Sequence, residues 1–167
     1  MLDVRRTLTA PGRGVDPAQP ANPSSVVVAL AGRRDLWRPQ VEFRHPRHYV
    51  RLLAGEGWEA WLLTWLPGQA TGLHDHGGSA GAFGVVEGVL AETLPVPEQG
   101  RLTLRTSRYP VGAVRSFGER HLHDVRAVQA PAVSIHVYAP ALMAMTRYTL
   151  DDGVLTAVVH ERVGADW

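Results

Sequence analysis

From residue 41 onward, short runs of branched and aromatic residues alternate with Gly, Pro or charged breaks about every ten positions. That cadence is the mark of an antiparallel β protein. It predicts strands over 49–53, 58–66, 82–90, 102–108, 111–116, 121–125, 132–138, 142–150 and 154–159. The most regular run is APAVSIHVYAP at 130–140, in which Ser134, His136 and Tyr138 alternate with Val133, Ile135 and Val137. Successive side chains of a strand point to opposite faces, so one face is apolar and the other forms hydrogen bonds. If the apolar face packs on a neighbouring layer, the polar row lines an interior where each group needs a partner. If the strand is turned the other way, the row faces water, as in a half-exposed strand. The alternation alone supports both orientations equally.

Upstream the pattern differs. Residues 8–24, LTAPGRGVDPAQPANPS, concentrate proline, glycine and small polar residues and read as a flexible lead-in. Ser24 or Ser25 is then expected to cap a short helix through VVVALAGRR, with a second helix or turn over 36–40. These helices would pack on the outside of the β structure. The expected organisation is one domain, with residues 1–40 as lead-in and helices and 41–167 as the β unit.

Composition narrows the chemistry. At 167 residues and 45% hydrophobic, the chain is long enough for one domain with a sizeable core. A net charge of +1 leaves no electrostatic footprint for nucleic acid. All 17 basic residues are arginine, and the chain has no cysteine. Lysine Schiff-base chemistry, a Walker phosphate loop, a thiol nucleophile, thiolate metal ligands and disulfides are therefore excluded. The early apolar run 26–31 is far too short to span a membrane, and MLDVRR lacks a signal-peptide core, so a cytoplasmic protein with no membrane partner is expected. No G-x-S-x-G elbow surrounds Ser134, which argues against a serine hydrolase.

The candidate chemistry is carried by histidines. Within GQATGLHDHGGSAGAFGVVEG at 68–88, strand geometry would turn His74 and His76 to one side and Asp75 to the other, which suits one metal ion. A pair of surface histidines is the plainer alternative. The spacing from Gly68 to Gly88 resembles the first cupin motif, whose glutamate ligand stands four or five positions after the second histidine. Ala80 and Gly81 occupy those places, so the site is either weak or completed by a third histidine. RHLHDVRA at 120–127 offers His121 and His123. His123, in a His-x-Val that resembles the second cupin motif, is favoured, although Ala127 stands where an asparagine is usual. A satisfied pair of strand histidines is again the alternative.

Taken together, the stretch 41–150 resembles the cysteine dioxygenase family, the thiol dioxygenases of the cupin superfamily. The matching pieces are Tyr49-Val50-Arg51, Trp65 nine residues before His74, HDHGGS at 74–79, EGVLAET at 87–93, His123 with Val125, and AVSIHVYAP at 132–140. The resemblance implies a mostly β fold, a single jelly-roll-like cupin barrel with a few short N-terminal helices. It implies one non-haem Fe(II) per chain on His74, His76 and His123, open to a thiolate, the substrate amine and O2. It further implies that Arg51 holds the substrate carboxylate with Tyr49 nearby, and that Tyr138 sits over the bound sulfur and oxygen. Tyr138 would be oriented through His136, itself bonded to Ser134. The implied reaction converts L-cysteine and O2 to cysteine sulfinate in a monomer or weak homo-oligomer.

Two departures matter. Some members carry a cysteine that crosslinks to the tyrosine; Gly81 stands there, so no thioether can form. Relatives with glutamine in place of the arginine prefer 3-mercaptopropionate, and Arg51 argues for cysteine. Other small thiols, or a cupin that binds a metal such as zinc without turnover, are the rival readings. Ala139-Pro140 is a candidate cis bond. His45, His48 and His160 are assigned to the surface, and Trp58, Trp61 and Trp65 to the core.

Overall fold

The computed structural model describes residues 22–162. Most of the expected lead-in, and the last five residues, lie outside the described residues. Helix α1 (Pro23–Ala31) opens the described chain, followed by α2 (Arg34–Trp37) and a 3₁₀ turn (Arg38–Gln40). The cap of α1 is Asn22, not Ser24 or Ser25: its side chain accepts the Ser24 backbone N–H at 3.1 Å. The shift has a simple cause. Pro23 has a φ suited to the first helical position and no N–H to leave unsatisfied there, so the helix begins before the serines.

Ten strands follow: β1 (Tyr49–Gly55), β2 (Trp58–Trp65), β3 (Ala80–Glu87), β4 (Val89–Glu98), β5 (Arg101–Pro110), β6 (Val114–Phe117), β7 (Asp124–Ala127), β8 (Ala132–Ala139), β9 (Ala144–Asp151) and β10 (Val154–Arg162). A five-stranded sheet has the order β1-β2-β8-β3-β6, a second has β5-β4-β7, and β9 and β10 form a ribbon. All pairings are antiparallel. The architecture is the expected mostly β, cupin-type one. Its sheets, however, remain separate rather than joining into one hydrogen-bonded cylinder among the described residues.

The expected strand 82–90 is two strands. Gly88 adopts φ +73°, and a Cβ there would lie 2.5 Å from the Pro131 carbonyl oxygen, so the chain turns sharply from one sheet to the other at a position only glycine fits. Beyond the turn, β4 continues through Pro95 and Pro97 to Glu98. Its pairing with β7 covers only Leu90 to Thr93, so both prolines fall where one edge of the strand is open. Two other strands move along the chain: 111–116 becomes Val114–Phe117, and 121–125 becomes Asp124–Ala127, which leaves His121 and His123 just before β7.

β8 resolves the ambiguity of its alternation, because both of its faces are buried. Val133, Ile135 and Val137 pack with Val26, Val27 and Leu30 of α1 and with Trp37 and Trp58. Tyr138, on the opposite face, packs in a second cluster with Trp65, Phe83, Leu90, Phe117 and Val125, drawn from both large sheets. The helices cover the outer face that would otherwise meet water, and the polar row is thereby turned inward. No helix among the described residues is long and apolar enough to cross a membrane.

Leu30 is 2% exposed within the outer cluster. Leu30→Ala should therefore lower the unfolding free energy by about 2–5 kcal/mol in urea titrations, the cost of an emptied core position. A loss below about 0.5 kcal/mol, as at a surface site, would show that α1 is not part of the core.

Candidate metal centre

His74 and His76 lie between β2 and β3 rather than on a strand. What fixes them is a two-residue bridge to the segment before β7: the His74 backbone N–H donates to the His123 carbonyl at 2.9 Å, and the His123 N–H donates to the His74 carbonyl at 3.0 Å. The bridge is extended locally, so side chains still alternate across it. Asp75 faces away, accepting from the Tyr148 hydroxyl at 2.7 Å and from the Thr146 and Gly77 backbone N–H groups at 3.0 Å. The imidazoles converge instead, with ring centroids 4.8 Å apart for His74 and His123, and 5.0 Å from His76 to each. One ligand atom from each of the three lies within 4.8 Å of the others. The choice left open between His121 and His123 falls to His123.

The donor set fits a cation. His74 Nδ1 donates to the Gly72 carbonyl at 2.9 Å, and His123 Nδ1 donates to Glu92 Oε1 at 2.8 Å, which leaves Nε2 of each ring uncommitted. Both ring nitrogens of His76 are buried without a partner. A buried nitrogen with nothing to bond is costly unless something else supplies the contact. Burial is the first cause that holds His74, His76 and His123 below the ordinary imidazole range, with neighbouring histidines adding repulsion and Glu92 pulling His123 partly back up. All three are therefore neutral ligands at physiological pH.

Glu92 organises the outer side of the centre. Its carboxylate is 1% exposed and accepts from four groups: His121 Nε2 and His123 Nδ1 at 2.8 Å, the Tyr109 hydroxyl at 3.0 Å and Arg115 Nε at 3.1 Å. Burial pushes its pKa up, but the hydrogen bonds from His121 and His123 more than offset that, so it stays well below the usual carboxylate range. Glu92, His121 and His123 also form a second group of metal-ligating type. There the carboxylate is already committed to donors. The sequence motif EGVLAET assigns Glu92 no role; an acidic residue inside the apolar run VLAETL was the available signal.

His74 and His123 open on a cavity of about 40 Å³, room for a few water molecules, whose lining includes Arg47, Tyr49, Trp61, His136 and Tyr138. The Trp65 indole N–H donates to Ser134 Oγ at 2.9 Å, and Ser134 Oγ lies 2.8 Å from His136 Nε2. The hydroxyl proton then has one acceptor, Nε2, which places the His136 proton on Nδ1. Burial, followed by the charges of His123 and Arg47, lowers the His136 pKa to about 3, so the ring is neutral. The relay ends there. No hydrogen bond joins His136 to Tyr138; the two rings lie with centroids 6.4 Å apart. Burial raises the Tyr138 pKa above its ordinary value, so its hydroxyl stays protonated.

Arg51 is not brought to the cavity. Its side chain is 59% exposed and lies 3.7 Å from Glu59, outside the lining that Tyr49 and Arg47 provide. Of the other assignments, Trp58 and Trp65 are buried as expected, but Trp61 lines the cavity. His160 is exposed, His45 lines an outer recess, and His48 is half-buried, 3.1 Å from the Gln40 carbonyl. Ala139-Pro140 is cis, as is His45-Pro46.

A family model described as cysteine dioxygenase type I matches residues 24–151. The chain belongs to that family. No curated protein matches it. Among solved structures it is similar to TT1209 from Thermus thermophilus, with 21% identity, 62% of this chain and 93% of that chain covered, and a TM-score of 0.53. It is also similar to the Schizosaccharomyces pombe Cnp3 cupin domain, with 12% identity, 61% and 66% covered, and a TM-score of 0.50. At these identities the two likenesses speak for the fold alone, which the second names as a cupin domain.

Gly81, the position expected to match the crosslinking cysteine of some family members, pairs across the sheet with Tyr138. A Cβ at Gly81 would lie 2.5 Å from the Val137 carbonyl oxygen and 2.6 Å from Phe117 Cζ, so the close approach of β8 and Phe117 itself requires glycine. Tyr138 accordingly stands as a free phenol.

Two outcomes follow from the centre's electrostatics. Glu92→Gln removes the anion that holds the His123 ring, and iron(II) affinity measured by chelator competition should fall about 10–100-fold; unchanged affinity would remove Glu92 from the centre. In the metal-free protein, His74, His76 and His136 have folded pKa values below that of the unfolded chain, so the unfolded state binds more protons once the pH drops below about 6.5. Each such histidine should cost about 1.4 kcal/mol per pH unit below that point, read from urea titrations. A flat stability between pH 7 and 5 would contradict their buried, neutral state.

Proposed function

We propose that the protein oxidises the thiol of L-cysteine to cysteine sulfinate at an iron(II) held by His74, His76 and His123. The reaction adds both atoms of dioxygen to sulfur and leaves the carbon–sulfur bond intact. Sulfur gives up four electrons and dioxygen takes four, so no further reductant is needed. Membership in the cysteine dioxygenase family and the three-histidine cluster support a metal-dependent thiol dioxygenase. The observation that carries this reading is the meeting of three neutral imidazoles, each with an uncommitted nitrogen, two of which, His74 and His123, line a cavity that Tyr138 also lines.

Iron(II) supplies a Lewis acid for thiolate and a redox partner for dioxygen. Three neutral ligands leave its double charge uncompensated, which favours an anionic sulfur ligand. The chain's own residues do the rest. Tyr138 keeps its proton and offers it as a hydrogen bond where charge develops on sulfur and oxygen. The Trp65–Ser134–His136 series fixes the neighbouring wall, while Leu142 and Met145 limit water in the cavity.

A second substrate has one observation in its favour. Arg51 is the residue that argues for cysteine over 3-mercaptopropionate, and it lies outside the cavity. Oxygen uptake by iron-loaded protein with L-cysteine, 3-mercaptopropionate and cysteamine decides between them. One O2 consumed per cysteine sulfinate formed is the expected result, and sulfinate from 3-mercaptopropionate alone would replace the substrate. No uptake with any thiol would leave a cupin that binds metal without turnover. Tyr138→Phe should lower kcat about 100-fold with metal content unchanged; wild-type kcat in that variant would remove the hydroxyl from the reaction.

A further inference from the structure

The guanidinium groups around the centre are not equivalent. Arg51 faces Glu59 at 3.7 Å, Arg115 faces Glu92 at 3.1 Å and Arg147 faces Glu161 at 3.0 Å. Arg47, on the cavity wall, has no carboxylate within ion-pair distance among the described residues. Its Nη1 donates to the Ala70 carbonyl at 3.3 Å, its guanidinium lies 4.5 Å from the centroid of the Trp65 ring, and its Nε is buried with no acceptor. Burial lowers its pKa to about 10, which still leaves it cationic at neutral pH.

Arg47 is not the only donor left over. The Trp61 indole N–H is also buried with no acceptor, and Trp61 lines the same cavity. Two unmatched donors, one of them charged, share this wall with apolar Leu63, Val125, Leu142 and Met145. A half-buried cation without an anion is costly, and unmatched buried donors call for a ligand that brings acceptors and negative charge. A carboxylate supplies both, in the planar geometry a guanidinium fork matches. Arg47 also borders the outer recess with Gln69 and Arg147, so it belongs to both the cavity wall and that recess.

We propose that Arg47, and not Arg51, is the anion anchor of the site, so that the protein takes small thiols bearing a carboxylate and places that carboxylate on Arg47 beside the Trp61 indole N–H. The assignment rests on reading the centre as a thiol site. It makes Arg47 the specificity-determining residue: L-cysteine and 3-mercaptopropionate qualify as ligands, and cysteamine, which lacks the carboxylate, does not.

The test is ligand binding without oxygen, so it does not depend on turnover. Iron-loaded wild-type protein, Arg47→Gln, Arg47→Lys and Arg51→Gln are titrated anaerobically with L-cysteine and with cysteamine, with tryptophan fluorescence as the readout. Wild type should prefer L-cysteine by about tenfold or more. Arg47→Gln should erase that preference, Arg47→Lys, which keeps the charge but not the fork, should retain part of it, and Arg51→Gln should leave it unchanged. Loss of the preference in Arg51→Gln, its full retention in Arg47→Lys or Arg47→Gln, or no preference in wild type would overturn the assignment. Failure of the dioxygenase reading looks different: the carboxylate preference persists and no sulfinate forms when oxygen is admitted.

Discussion

Two backbone hydrogen bonds between His74 and His123 tie together segments that the sequence keeps far apart, and the centre depends on them. Neither segment is a regular strand at that point. Each is held by what flanks it: Asp75 by Tyr148 and the β9 backbone, His123 by Glu92 from β4. Three sheets therefore contribute to one cluster of imidazoles. With the bridge intact, alternation of side chains aims the rings inward and the carboxylate of Asp75 outward.

The inner face of the protein carries groups that a folding core would normally avoid: buried neutral histidines, one of which, His76, has nothing to bond, a protonated tyrosine and an unmatched guanidinium. Their cost is offset elsewhere. Helix α1 and the tryptophans Trp37 and Trp58 close over the outer face of the five-stranded sheet and bury a continuous apolar layer there. The outer layer stabilises the sheet, and the inner layer is left to chemistry. This division also explains why β8 is buried on both faces while keeping a strict polar and apolar alternation.

Much of this was legible in the sequence. The alternation of Ser134, His136 and Tyr138, the pairing of His74 with His76, and the His123-x-Val pattern each encode a local direction, and local direction is what a strand period can report. What the period could not report was position in three dimensions. Arg47, Tyr49 and Arg51 share one parity, so spacing cannot rank the two arginines; β1 begins only at Tyr49 and its register slips between Arg51 and Leu53, and it is Arg47 that reaches the cavity. The break at Gly88 was hidden because a single left-handed glycine looks like any other inside an apolar run. Glu92 was missed for the opposite reason, since its importance comes from four partners drawn from elsewhere in the chain.

The convergence of His74, His76 and His123 calls for one metal ion shared by all three rings. Anomalous diffraction at the iron edge from crystals of the iron-loaded protein tests it most directly. A single strong peak is expected at the point where the three imidazoles converge, with Glu92 behind His123 and not on the metal. A peak held instead by Glu92, His121 and His123, or no peak among the three predicted rings, would contradict it.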